Sequence, residues 1–112
     1  MSCLFCDLIN GVLPCDPLYR DDEVLVLRDI APQAPTHLLV VPVEHVTSLW
    51  ELEDEALAGK LLATAARMAR EAELADGWRL IVNTRRHGGQ EVPHVHLHVI
   101  GGRPLGRMLP LD

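Results

Sequence analysis

His94-Val95-His96-Leu97-His98-Val99-Ile100 alternates histidines with apolar residues at the period of a β-strand. Side chains two apart on a strand share a face, so the three imidazoles line one side while Val95, Leu97 and Val99 grip a core on the other. Histidine's unperturbed pKa near ~6.5 lets it act as nucleophile, base, acid or neutral metal ligand around neutrality. Three on one ridge point to a reaction site. One ion shared by all three is a poor alternative: residues four apart on a strand are separated by roughly 13 Å, whereas zinc holds its nitrogen ligands at about 2.0–2.1 Å. An adjacent pair with help from elsewhere is still open to a metal, and the blandest reading is a polar, exposed sheet face.

Working outward from the ridge, Trp78 to Asn83 reads as a strand. The loop Asn83-Thr84-Arg85-Arg86-His87-Gly88-Gly89-Gln90-Glu91 joins it to the histidine segment. Paired glycines let a backbone approach a ligand closely, and the N–H groups of such a turn form an anion-binding concavity. If the two strands pair antiparallel, Asn83 ends one where the histidines begin the other, and its carboxamide, the loop amides and the imidazoles surround a volume suited to a phosphate. Further back, Leu57, Leu61, Ala65, Met68 and Ala72 recur every three to four positions, which predicts an amphipathic helix from about Asp54 to Leu74 with Gly77 near its stop. Pro17 to Arg20, Val24 to Asp29 and His37 to Val41 are three more strands on connections too short for helical crossovers, and Phe5 to Asn10 is a short helix ended by Gly11. The expected architecture is therefore α+β: a five-stranded antiparallel meander covered by one long helix, with a short N-terminal helix.

A chain of 112 residues, 48% hydrophobic and 23% charged, is expected to form a single domain over 1–112 and to fold without staples. The net charge of −6 argues against a nucleic-acid polymer as partner, because such affinity comes from a basic surface neutralising many phosphates. A small phosphate ester is compatible with it, since local groups outvote the global balance. Arg85, Arg86 and His87 precede the histidine strand, and Arg103 and Arg107 follow it. They read equally as a ligand rim or a solvated one. No apolar run approaches the roughly 20 residues that span a bilayer, and the first residues lack the basic n-region of a signal peptide. The expectation is a cytoplasmic protein, with no membrane partner and with Cys3, Cys6 and Cys15 reduced.

The histidine stretch resembles the motif that names the histidine triad (HIT) superfamily, and the likeness spans nearly the whole chain. Asp29-Ile30-Ala31-Pro32-Gln33-Ala34-Pro35-Thr36-His37, Asn83, Gly88-Gly89-Gln90 and Gly101-Gly102-Arg103-Pro104-Leu105-Gly106 are similar to the Hint branch, the purine nucleoside phosphoramidases, in a bacterial form. That resemblance implies a HIT-like fold, a homodimer whose sheets join, and a purine nucleoside monophosphate or phosphoramidate as ligand. It implies cleavage of a P–N bond with no cofactor in the chemistry. The nucleophile would be His96, with its tautomer held by the backbone carbonyl of His94. Asn83, the loop at Gly89 and Gln90, and His98 would donate to the phosphoryl group; losing one such donor typically costs roughly 2.7–4 kcal/mol of barrier. Asp29 would take the ribose hydroxyls, and Leu4, Phe5, Leu8, Leu27 and Ile30 would pack around the base, although composition alone makes these ordinary core.

Glu91 departs from the pattern, standing where many Hint proteins carry a serine. An ionised carboxylate there would repel phosphate, which leaves either its backbone N–H or a protonated side chain as the contribution. Two rival functions also stand open: a dinucleoside polyphosphate hydrolase using the same nucleophile, and a nucleotide-binding regulatory protein with incidental catalysis. Separately, Cys3 and Cys6 have zinc-ligand spacing but need two more ligands. The resemblance supplies His45 and His94 for a structural zinc; the alternative is two small apolar cysteines in a first turn.

Overall fold

The computed structural model describes residues 3–110. Its elements in chain order are α1 (Leu4–Ile9), β1 (Tyr19–Arg20), β2 (Val24–Arg28), β3 (Thr36–Pro42), α2 (Glu55–Glu71), β4 (Trp78–Ile81) and β5 (Leu97–Gly101), with a 3-10 turn at Leu49–Glu51. All five strands join one antiparallel sheet, as expected. Their order, β1-β2-β3-β5-β4, differs from a simple meander in one place. The chain crosses the sheet through α2, lays down β4 at the far edge, and returns β5 into the gap beside β3. The histidine strand therefore lies between two neighbours, which hold it on both sides.

Register sorts the side chains into two layers. Val40 pairs with Leu97 and Leu38 with Val99, and these four join Val24, Val26 and Val95 against Leu57, Leu61, Ala65, Met68 and Ala69 of α2. The opposite face carries Leu25, Leu27 and Val41, covered by Phe5 and Ile9 of α1 together with Cys3. A strand buried on both faces reads as a continuous apolar run, which is how Val24-Leu25-Val26-Leu27 is written. The histidines share this second face with α1.

Local chemistry sets the element ends. Asp54 caps α2 by accepting from the Leu57 N–H at 3.1 Å. Beyond the helix, Glu73 takes a left-handed conformation, so α2 ends at Glu71, three residues before the expected Leu74, and Gly77 serves the turn into β4. Lys60 ties α2 to the β1–β2 turn through Asp21 at 2.9 Å, and Asp21 also receives the Tyr19 hydroxyl at 2.6 Å. The Tyr19 hydrogen bond and the Lys60 ammonium hold the Asp21 carboxyl well below the usual carboxylate range. At the N-terminus, Cys3 caps α1 with its sulfur.

The ladder of β5 begins at Leu97, three residues later than the alternation predicts. His94, Val95 and His96 precede it, with the Val95 N–H going to the Val46 carbonyl and the His94 N–H to Val92. The cause lies in β3, which gives out at Pro42: a proline has no N–H to extend a ladder. Side-chain alternation nevertheless continues back through the irregular segment. Val95 is buried in the helix-side layer, and His94 and His96 lie against Phe5 on the other.

Candidate functional site

The three histidines of the ridge do not share one environment. His94 is completely buried, His96 nearly so, and His98 half-buried. Phe5 packs against the first two at centroid distances of 5.6 and 5.0 Å, and His96 stands edge-on to His98 at 5.1 Å. Burial, then the neighbouring His96 and His37, push the His98 pKa down to about 4. Burial likewise lowers that of His94.

Backbone groups settle which nitrogen of each ring carries its proton. The Nδ1–H of His96 donates to the His94 carbonyl at 2.8 Å, so its Nε2 presents a lone pair. The Nε2–H of His94 donates to the Pro42 carbonyl at 2.9 Å, leaving the Nδ1 lone pair for a partner. His37 works by the same rule. The Gln33 N–H donates to its Nδ1 at 3.1 Å, which puts its ring proton on Nε2, 2.9 Å from His98 Nδ1 and 3.3 Å from Asp29 Oδ2. His98 accepts on Nδ1 and therefore carries its own proton on Nε2. A lone pair on His96 thus stands beside a donor on His98, the pairing needed to attack an electrophile while meeting charge that develops on it.

His37 is the member of the site to which sequence reasoning gave no role. It lay inside the quoted motif, and its signal is the parity of β3: Leu39 pairs with His98, so His37 shares that face two positions on. Asp29 is occupied differently from expectation. Its Oδ1 accepts from the Ala31 N–H at 2.8 Å and its Oδ2 faces His37, so the carboxylate holds the turn after β2 as well as lining the site.

The loop from 83 to 91 is braced from within. Ile81 pairs with His98 at the end of the β4–β5 ladder, and Asn83 follows two residues beyond it. Asn83 gives an amide hydrogen to the Gly88 carbonyl at 2.8 Å. A Cβ at Gly88 would lie 2.5 Å from the Thr84 carbonyl oxygen, and Gly89 has a φ of 76°, so both glycines are required by the turn itself. The Gly89 and Gln90 N–H groups are spent on the Arg86 and Arg85 carbonyls. The Gln90 side chain is committed too, accepting from the Arg85 N–H and donating to Thr47 and Val92. Gly89 and Gln90 therefore shape the loop, and the Glu91 N–H has no partner among the described residues. The Glu91 side chain is exposed.

Of the apolar residues expected around a base, Phe5, Leu8 and Leu27 come together in the α1-side layer. Leu4 is half exposed at the rim. Ile30 is fully exposed, an apolar side chain with no protein to pack on.

Next to the ridge, Cys3, Cys6, His45 and His94 place all four potential ligand atoms within 4.8 Å of one another. His94 Nδ1 lies 3.3 Å from Cys3 Sγ, 3.6 Å from Cys6 Sγ and 3.1 Å from His45 Nδ1, and His45 Nδ1 lies 3.2 Å from Cys6 Sγ. Tetrahedral bonds of about 2.0–2.3 Å would separate ligand atoms by roughly 3.3–3.8 Å, so the group fits a metal ion. Burial and the adjacent Cys3 push the Cys6 thiol up, a cost that a dication relieves by taking both sulfurs as thiolates. The Pro42 carbonyl already orients the His94 ring for ligation.

The HIT domain model matches residues 10–105. The chain belongs to the HIT domain family. Among its relatives is the purine nucleoside phosphoramidase of Escherichia coli (strain K12), 47% identical over 109 residues that cover 95% of this chain and 92% of that protein. Solved HIT structures superpose closely. A HIT family hydrolase from Legionella pneumophila Philadelphia 1 has a TM-score of 0.90 at 40% identity, covering 94% of this chain and 96% of the other. A histidine triad protein from Clostridium difficile has a TM-score of 0.90 at 37% identity, with 97% of each chain covered.

His98 gives the folded HIT domain a pH dependence whose sign is fixed. The unfolded chain takes up this proton near pH 6.5 and the folded chain only near about 4, so stability is lost as pH falls through that window. Melting temperatures followed from neutrality to about pH 4 should drop more steeply for the wild type than for His98→Asn. Parallel curves would show that the His98 ring is not desolvated.

Proposed function

We propose that this HIT domain is a purine nucleoside phosphoramidase: a hydrolase that cleaves the P–N bond of adenosine and guanosine 5′-monophosphoramidates. The observation that carries the reading is the paired tautomer, a bare Nε2 on His96 beside an Nε2–H on His98. The likeness to the Escherichia coli phosphoramidase supports the substrate class.

In this reading His96 Nε2 attacks phosphorus, the P–N bond to the amine breaks, and the amine departs with a proton taken from solvent water. Water then cleaves the nucleotidyl-imidazole, releases the nucleoside monophosphate, restores His96 and returns the proton. The His94 carbonyl stabilises the imidazolium of the intermediate through Nδ1–H. Asn83, His98 and the Glu91 N–H donate to the phosphoryl oxygens, with Gly89 and Gln90 setting the turn that aims them. Asp29 receives the ribose hydroxyls. Phe5, Leu8 and Leu27 wall the base, and Leu4 and Ile30 close over it from the rim. Splitting one displacement into two easier steps is the advantage of a covalent path.

The Cys3, Cys6, His45 and His94 group is assigned a structural zinc, which would steady the His94 backbone and take no part in phosphoryl transfer. The protein is assigned to the cytoplasm as a homodimer of single HIT domains. Its β4 edge supports the dimer: Trp78, Arg79, Leu80 and Ile81 are all half-buried with one side of the strand unpaired, and such an edge is a template for a second copy.

His96→Ala should abolish turnover of adenosine 5′-phosphoramidate while the fold and AMP binding persist, and acid-quenched wild type should carry one nucleotide on His96. Turnover in the variant, or a wild type that consumes substrate without ever holding the adduct, refutes the mechanism. Metal analysis of protein purified without chelator should give one zinc per chain, falling sharply in Cys6→Ser; substoichiometric metal in the wild type discards that site. Light scattering should report twice the 12.4 kDa chain mass, and a monomer would overturn the edge assignment.

A further inference from the structure

Gly101-Gly102-Arg103, the segment that leaves the histidine strand, has no part in the chemistry above, yet it reaches back to the site from outside. The Arg103 guanidinium donates from Nη2 to the Gln33 carbonyl at 2.9 Å and from Nη1 to its neighbour's carbonyl, Pro104, also at 2.9 Å. Gln33 is the residue whose N–H sets the His37 ring at 3.1 Å. One residue in the loop between β2 and β3 is thus held at both backbone groups, by Arg103 on one side and by His37 on the other.

The tail is packed for this contact. Gly102 has a φ of 100°, and a Cβ there would stand 2.9 Å from the Pro35 side chain, so only glycine lets the tail lie this close to the loop. Further along, Arg79 of β4 donates to the Gly106 and Arg107 carbonyls at 2.9 and 3.2 Å. Arg103 therefore projects from a segment fixed at both ends. The loop it grips is closed at its base by the Asp29 N–H donating to the His37 carbonyl at 3.0 Å, and between these points Gln33 is exposed.

We propose that Arg103 is a positioning residue of the HIT site: by gripping the Gln33 carbonyl it keeps the Gln33 N–H on His37 Nδ1, and so keeps His98 in the tautomer that presents Nε2–H to the ligand. The chemical logic is directional. Asp29 Oδ2, 3.3 Å from His37 Nε2, also draws the ring proton there, so when the Gln33 N–H swings away His37 Nδ1 takes the proton in only part of the population, and in that part His37 Nε2 becomes an acceptor. His98 Nδ1, 2.9 Å from it, then satisfies the contact by donating, and the His98 Nε2–H is lost. A planar fork that bridges two carbonyls suits arginine, whereas a lysine ammonium is a point donor.

The inference rests on the proposed function only for the role of His98 as donor. The test is long-range 1H–15N correlation spectroscopy of the imidazoles, which separates the two neutral tautomers, with steady-state kinetics alongside. In the wild type His37 and His98 should both show the Nε2–H pattern and His96 the Nδ1–H pattern. Arg103→Ala, at an exposed position, should shift His37 and His98 to mixed tautomers while His96 is unchanged. It should lower kcat about tenfold with little change in KM, within the range an ångström-scale misplacement costs. Arg103→Lys should recover part of both. Unchanged His37 and His98 spectra in Arg103→Ala overturn the inference whatever the rate does, as does a wild-type His98 protonated on Nδ1. Shifted tautomers with intact turnover uphold it and remove His98 from the proposed chemistry.

Discussion

The His94 residue joins the cysteine–histidine cluster to the end of the central strand and to His96. Its ring donates to Pro42 at the end of β3, its Nδ1 faces two cysteines and His45, and its carbonyl takes the proton of His96. The contacts to Cys3, Pro42 and His96 are buried, where a missing partner would leave a costly unsatisfied group, and the one to His45 opens to the surface. The orientation of His96 is consequently bound to the end of the central strand and to the N-terminal turn. Because the constraint uses backbone carbonyls, it persists through any side-chain change that leaves the fold intact.

The sheet converts this local arrangement into a divided molecule. One face is an ordinary aliphatic core filled by α2. The other holds a smaller apolar layer under α1, and there the imidazoles meet Phe5. Placing β5 between β3 and β4 gives the site contributions from both flanking strands: His37 and the Asp29 turn on one side, Asn83 and the braced loop on the other. A meander in strict sequence would have left β5 at an edge, open on one side.

Much of this was legible because it depends on short-range periodicity. The alternation from His94 to Ile100 fixes which side chains share a face, and it did so even where the ladder fails before Leu97. The helix from Asp54 onward is written in its apolar spacing and its cap. The nearness of Cys3 and Cys6 to His45 and His94 came from family likeness, because the cysteine pair lies far from both histidines in the chain. The loop glycines were visible, but their use was not. A sequence shows that a turn can bind an anion; it does not show that the turn's own carbonyls have already consumed the Gly89 and Gln90 hydrogens.

The amino-acid sequence by itself determined the strands, the long helix and the common face of the three histidines, since each follows from residues within a few positions of one another. Strand order, the late start of β5, the His37 contact with His98 and the grip of Arg103 on Gln33 were decided only in the folded chain. Arg103 and Gln33 lie 70 positions apart, and His37 and His98 lie 61 apart. No local pattern encodes such pairs. They exist because burying two faces of one sheet leaves few ways to satisfy the polar groups at its end, and the backbone takes up those that remain.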